Sequence, residues 1–391
     1  MTAARARRWL LALYLGSAAL VTLQQAVLGR SNNFRVFRSA SLNLFAGRDL
    51  YAAHPEQHFD FYKYSPTFAL LFAPLAYLPF ALAFLCWSLL NALLLWYALD
   101  RLLPERPATL ALALVYLEVL FSMQYGQSNA LVAALLILAF VALEQGRQER
   151  AAALLGVDAF IKIFPLAGVS FALLHPRRNR FALLAAAALV GLALLPLAVM
   201  TPHELAAQYR SWRAMEAADA QQVHRGYALM QYLYMVGLDW PNWSVQLAGT
   251  VLLLLPLALG RRRWDDAAFR RLFLCTLLVY LVLFNHQSER ASFVIAYSGI
   301  AIWYVSAPPA PGPAERLRTA VMALTLLVMV VHDVDIVPRW VKNDILIPYR
   351  IKGIPCLVAW LVMEWELFVT ARRSAPGETP RSQTAPAPRA T

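Results

Sequence analysis

Apolar residues in this chain come in blocks of about 17–25, separated by short polar stretches, which is the length an α-helix needs to cross the hydrocarbon of a bilayer. Of the 391 residues, 60% are hydrophobic and 15% charged, against about 45–50% and about 25% in an ordinary soluble domain. That excess does not fit inside one water-soluble core. The pattern predicts an all-α polytopic membrane protein with about 11–13 transmembrane helices. The three cysteines, Cys86, Cys275 and Cys356, all sit in apolar runs without paired spacing, so a disulfide framework is excluded.

The formal net charge of +12 would suggest nucleic acid in a soluble protein. Here the arginines cluster beside apolar blocks, at Arg5–Arg8, Arg101–Arg106, Arg147–Arg150, Arg177–Arg180, Arg261–Arg263, Arg270–Arg271, Arg316–Arg318 and Arg372–Arg373. This is the distribution of the positive-inside rule, and it reports topology in a cell membrane rather than nucleic-acid binding. The first block, Trp9 to about Leu28, lacks an Ala-x-Ala cleavage site and reads as a retained helix with a cytoplasmic amino end. Gly29 to Lys63 then lies outside.

The apolar stretch from Tyr64 to Leu99 is broken by Pro66, Pro74 and Pro79, which predicts a short interfacial or re-entrant piece before one full span. Pro107–Tyr125 and Asn129–Glu144 cross out and back around a short turn. Ala151 to Leu174 begins and ends among arginines, so it reads as a hairpin of two short helices turning near Lys162 and Pro165. Phe181–Met200 exits, Thr201–Trp243 forms a second large outer loop, and further crossings include Leu272–Phe284 and Ala320–Val331. Residues 1–373 therefore form one integral membrane domain with both termini cytoplasmic, and the Pro/Ala/Thr-rich tail 374–391 reads as disordered.

Ionisable groups concentrate on the outer side. The first loop carries Asp49, Glu56 and Asp60, the cations Arg35, Arg38, Arg48 and Lys63, and His54 and His58, interleaved with Phe and Tyr. Such a mixture suits an amphipathic substrate with a phosphate at headgroup level, or a loop that only rides on the interface. Lys162 stands among apolar residues, and an intramembrane ionisable group is a functional candidate. Asp158, four residues earlier on the same helix face, offers a self-neutralising pair instead. Gln127 and Asn129, in Gln124–Asn129, can supply neutral hydrogen bonds to a sugar. His286, Glu289 and Arg290 share a compact polar turn with acid–base capacity. Asp333, Asp335, Arg339, Lys342 and Arg350 repeat the theme of charged groups before the last crossing.

Six ordered stretches together resemble glycosyltransferase family 87: NNFRVFRSASLNLFAGRDLY, FDFYKYSPTFALLFAPLAYLPFALAFLCWSLLNALLL, QYGQSNALVAALLILAF, AFIKIFPLAG, SERASFVIAYSGIAIWY and VDIVPRWVKNDILIPYRIKGIPCLVAW. They run from about Asn32 to about Trp360. The resemblance implies a membrane-type (GT-C) glycosyltransferase with its active site on the periplasmic or extracytoplasmic face. It implies transfer of a hexose, plausibly mannose, from a polyprenyl-phosphate sugar to a lipid or glycan acceptor. An outer-loop carboxylate would act as base, and basic residues would stabilise the leaving phosphate. No metal is required where arginine and lysine do this, and no cofactor is implied.

At one place the chain departs from the family pattern. Many members carry an Asp-Phe or Asp-Leu pair early in the first loop, where this chain has Asn33 before Phe34, and an amide cannot serve as general base. Asp60 is the favoured base, with Asp49 and Glu289 in reserve, and Asn33, Arg35, Arg38, Lys63, Gln127, Asn129, Lys162, His286, Arg290 and Arg339 as substrate-binding candidates. The alternative reading is a transporter or flippase of an anionic lipid or sugar, although only one Lys-Pro hairpin is visible and a repeat-built transporter needs a counterpart.

Overall fold

The computed structural model describes residues 3–29, 31–221, 226–307, 312–334 and 336–372, apart from the side chains of 219–221. Arg30, Asp335 and the tail 374–391 lie outside the described residues. Among the described residues the chain is helical throughout: α1 (Ala3–Leu28), α2 (Asn32–Phe45), α3 (Pro66–Leu71), α4 (Ala73–Ala76), α5 (Phe80–Leu102), α6 (Glu105–Gln124), α7 (Asn129–Glu144), α8 (Gln148–Ile161), α9 (Arg178–Leu194), α10 (Pro202–Gln221), α11 (Leu229–Met235), α12 (Asn242–Leu259), α13 (Ala267–Leu283), α14 (Phe293–Ser306), α15 (Pro313–Asp333) and α16 (Ile354–Arg372).

At the centre stands α7, whose residues Asn129–Leu143 are all buried. A helix apolar on every side buries every side. Around it pack α5, α8 and α14.

Polar contacts define two ends of the bundle. At the lower end Arg7 pairs with Asp100, Arg270 grips Glu144 through two bonds of 2.6 and 2.7 Å, and Arg318 grips Glu366 at 2.9 and 3.1 Å. At the upper end the Trp87 indole donates to Gly126 O at 3.0 Å, Ser65 Oγ to Phe160 O at 2.6 Å, and Thr67 Oγ1 to Leu192 O at 2.7 Å. The arginine-rich connections thus gather at one end and the Tyr- and Gln-rich ones at the other, as the charge pattern predicts.

Among the described residues six helices are long and apolar enough to cross a membrane: α1, α5, α6, α9 with its short 3₁₀ extension to Ala198, α12, and α16 with the 3₁₀ turn before it. This is fewer than the about 11–13 transmembrane helices expected from the apolar blocks. The difference has a local cause. Several of the remaining helices run only 14–17 residues, roughly 21–26 Å at about 1.5 Å per residue. The prolines after Tyr64 do break the chain, giving α3 and α4 before the full-length α5. The Lys162 hairpin also forms: α8 ends at Ile161, Lys162 is extended (φ −143°, ψ 141°), and a 3₁₀ helix returns over Phe164–Leu174.

Both large upper-end connections contain helices. In the first, α2 buries Phe34, Phe37 and Ala40, with Phe34 meeting Phe72, Phe80 and Phe84 edge-on at centroid distances of 5.0–5.6 Å. In the second, α10 is a polar 20-residue helix. Its start is fixed by a reciprocal cap, with Thr201 N donating to Glu204 Oε2 at 2.7 Å and Glu204 N to Thr201 Oγ1 at 3.3 Å.

Candidate active site

Four connections meet at the upper end: the 59–65 segment, the α6–α7 turn, the Lys162 elbow and the turn before α14. The α6–α7 turn is set by Gly126, which has φ +61° and whose added Cβ would lie 3.1 Å from the Phe34 Cβ, so only glycine suits both the backbone and the space. The turn delivers Gln127 and Asn129. Gln127 Nε2 donates to Glu289 Oε2 at 3.1 Å, and Asn129 Nδ2 donates to Ala291 O at 2.9 Å. This pins the α14 turn against the start of α7.

Lys162 reaches the same place from the other side. Pro165 cannot continue α8, and the break turns the lysine upward. Its Nζ donates to Asn129 Oδ1 at 2.7 Å and lies 5.9 and 5.8 Å from the ring centres of Tyr64 and Phe164. The expected alternative, a closed Asp158–Lys162 pair, does not form. Both Asp158 carboxylate oxygens are buried without a hydrogen-bond partner among the described residues.

Glu289 is exposed and oriented by a capping box with Ser292, whose Oγ accepts from Glu289 N at 3.1 Å. Its neighbour Arg290 donates to the Tyr125 hydroxyl at 3.0 Å and lies over the Phe121 and Tyr125 rings. Asn33 joins this wall, donating from Nδ2 to Tyr125 O at 3.0 Å. Asp60 is exposed too, and its Oδ1 accepts from Phe61 N at 2.8 Å. Burial first, then the carboxylates of Glu289 and Asp60, push the Tyr64 hydroxyl upward. Both acids therefore act on one tyrosine, and Lys162 stands over the face of its ring.

The remaining candidates are placed differently. Asp49 Oδ1 accepts from Tyr51 N at 3.0 Å and Oδ2 from Ser211 Oγ at 2.9 Å, which ties the first loop to α10. Lys63 and Asp49 line a groove of about 330 Å³ with Tyr51, Phe61, Ser211 and Met215. Arg38 donates to Ala76 O and Leu78 O at 2.9 and 3.1 Å, so its guanidinium holds the carbonyls at the end of α4. Arg35 is exposed near the Phe80 ring. His286 Nδ1 lies 3.5 Å from Gln246 Nε2, and Arg339 is exposed on the segment before the π-helical turn Val341–Leu346. His58 is buried, and that burial lowers its pKa, opposed by the Asp60 backbone carbonyl.

The sequence reading of Asp333 as one of a set of outward anion-binding groups is corrected. The Asp333 side chain is only 4% exposed, with Lys352 Nζ at 2.6 Å and His332 Nδ1 at 3.0 Å, and Lys352 also pairs with Glu118 at 2.8 Å. Lys352, Glu118 and His332 were not singled out from the sequence, and neither was Tyr64. A lysine and a glutamate inside apolar runs were the available signal.

This is an accessible carboxylate beside a held ammonium, rimmed by amides, an arginine and aromatic rings. It is equipped to take a proton from a hydroxyl and to hold an anion at one point. The profile of glycosyltransferase family 87 matches residues 61–284, more than half of the chain. The chain belongs to glycosyltransferase family 87. Membership makes group transfer, not transport, its reading, and the apolar helices make it a membrane glycosyltransferase. The matched segment takes in Tyr64, Gln127, Asn129 and Lys162, starts after Asn33 and ends before Glu289. No curated protein matches the chain.

Proposed function

We propose that this glycosyltransferase moves a hexose, with mannose as the first candidate, from a polyprenyl-phosphate donor to a lipid or glycan acceptor at the extracytoplasmic face of the inner membrane. The observation that carries the reading is the Gln127–Asn129 turn at the upper end, which holds Lys162 through Asn129 and Glu289 through Gln127. The lower end carries the arginine clusters, so the positive-inside rule makes it cytoplasmic together with both termini.

Glu289 replaces Asp60 as the favoured base. Of the three carboxylates considered, Asp49 is occupied by α10, and only Glu289 shares the Gln127–Asn129 turn with Lys162. In the reaction Glu289 takes the acceptor hydroxyl proton, the acceptor oxygen attacks the anomeric carbon with inversion, and the carbon–oxygen bond to the phosphate breaks. The electron pair leaves on the polyprenyl phosphate, where Lys162 and Arg290 balance the added charge. Asp60 and Asn33 line the acceptor approach.

The test is incubation of the purified protein with radiolabelled polyprenyl-phosphate sugars and a membrane lipid extract. A labelled product from wild type, absent with Glu289→Gln and retained with Asp60→Asn, supports the reading. Loss with Asp60→Asn and retention with Glu289→Gln moves the base to Asp60. No product with any hexosyl donor sinks the donor class.

A further inference from the structure

At the lower end, far from the reaction site, lies a basin of about 620 Å³ lined by His175, Arg177, Arg178, Arg180, Arg261 and Trp264 among others. Four arginines line it, and Asp265 is the acid on its wall. Of these four, among the described residues, only Arg180 has a counter-ion, Glu149, and that pair is more than half exposed on both sides. Arg177, Arg178 and Arg261 form no ion pair among the described residues. Nearby Arg270 and Arg263 are already matched, to Glu144 and Asp266. Three of the four arginines lining the basin are thus unmatched among the described residues.

The local sequence makes the imbalance worse. Arg177 to Arg180 open α9, whose first turn holds no acid and whose N-cap makes no side-chain bond, so like charges stand at the positive end of a helix. Such a conflict is relieved by an anion in the basin. The rest of α9 indicates the source. It is the least buried of the six spanning helices, at 17% of its apolar window, and Leu183 and Val190 are 73% and 59% exposed. An anion at its first turn therefore sits at headgroup depth beside a lipid-facing surface along which acyl chains can lie.

We propose that this basin binds the phosphate of an anionic phospholipid from the leaflet at the lower end, with Arg178 and Arg261 as its principal contacts. Basic pockets between helices at a membrane face hold such headgroups. The site is separate from the transfer centre and does not depend on the donor or acceptor proposed above.

The test uses the full-length protein in phosphatidylcholine vesicles with and without phosphatidylglycerol, read by thermal unfolding and by the lipid phosphorus that co-purifies. Phosphatidylglycerol should raise the wild-type Tm. Arg178→Gln/Arg261→Gln should lose most of that rise, with apparent lipid affinity down about thirtyfold for two arginines, while its Tm in phosphatidylcholine alone stays at the wild-type value. Arg261→Glu, on the other side of the basin, should lose the rise alone. Arg106→Gln, an exposed lower-end arginine outside the basin, should keep it. Equal losses in Arg106→Gln and the double variant would mean diffuse surface charge and overturn the site. An equal rise from inorganic phosphate in phosphatidylcholine vesicles would overturn the lipid source.

Discussion

Replacing Lys162 by methionine keeps the length of the side chain and removes its charge, so it tests whether the elbow serves the leaving phosphate. A sugar joined to a polyprenyl phosphate carries one negative charge on a diester. Once the anomeric bond breaks, the released monoester carries up to one more. A lysine ammonium about 4 Å from that charge contributes on the order of 4 kcal/mol at an effective dielectric of about 20. That matches the roughly 10²–10³ in kcat lost when one preorganised donor at a developing charge is removed. Because the charge grows during the reaction, the loss should fall on kcat more than on KM for the donor. The variant also leaves Asn129 Oδ1 without the ammonium it accepts at 2.7 Å, at a cost of about 1–3 kcal/mol in stability, so thermal unfolding must be followed beside turnover of the labelled donor. Lys162→Arg should recover part of the rate. Turnover within threefold of wild type in folded Lys162→Met would refute the assignment of the phosphate to this lysine.

Glu289→Gln keeps the hydrogen-bonding shape and should cut transfer by about 10²–10⁴, the range for a lost general base, with Asp60→Asn much milder in the same assay. Asp158→Asn should retain most activity and an equal or higher Tm, because a buried carboxylate without partners becomes a neutral amide; a large loss of rate would show that Asp158 acts on Lys162 after all. Lys352→Met should lower stability by about 3–5 kcal/mol by stranding Glu118 and Asp333 in the interior, and a thermal melt unchanged from wild type would remove that network from the fold's support. The Glu204 carboxyl is held below its ordinary range by the Thr201 backbone and hydroxyl, so the cap it provides is in force above the unfolded glutamate range and fades as pH falls through the lower folded value. Hydrogen-exchange protection at the start of α10, relative to the intrinsic rate at each pH, should fall on that descent, and Glu204→Gln should flatten the dependence.

The legible parts of this molecule were those governed by local pattern. The central helix α7 could be read from Asn129 to Glu144 because its run is apolar at every position and bounded by polar turns, and those are its bounds in the structure. The Lys162 hairpin followed from arginines at both ends of a stretch too long for one short helix and too short for two full ones, with Pro165 in the middle. α10 was invisible to the same reasoning. It has no apolar stripe, and Thr201–Trp243 read as loop, yet alanine, glutamate and arginine are strong helix formers and the Thr201–Glu204 cap supplies the start.

What sequence patterns could not give was pairing across the fold. Gln127 and Glu289 are 162 positions apart and hydrogen-bonded, so the reading from the first loop preferred Asp60, which stands close to Lys63 along the chain. Proximity in sequence could not show that the elbow brings Lys162 to the turn that holds Glu289. The buried Lys352 shows the same logic in reverse. Its partners Glu118 and Asp333 come from α6 and α15, and together with His332 they lock α6, α15 and α16 directly below the turn that carries Arg290, with the Lys352 Nζ 4.5 Å from the Phe121 ring centre and Arg290 over that same ring. Two acids around one ammonium are costly to bury, and such a cluster fixes one relative placement of three helices because any slip would strand a charge. The fold thereby spends polar groups beneath the site to hold the aromatic shelf on which Arg290 rests, so that in the proposed reaction the arginine would meet the phosphate from a fixed position while Glu289, one residue earlier, faces the acceptor.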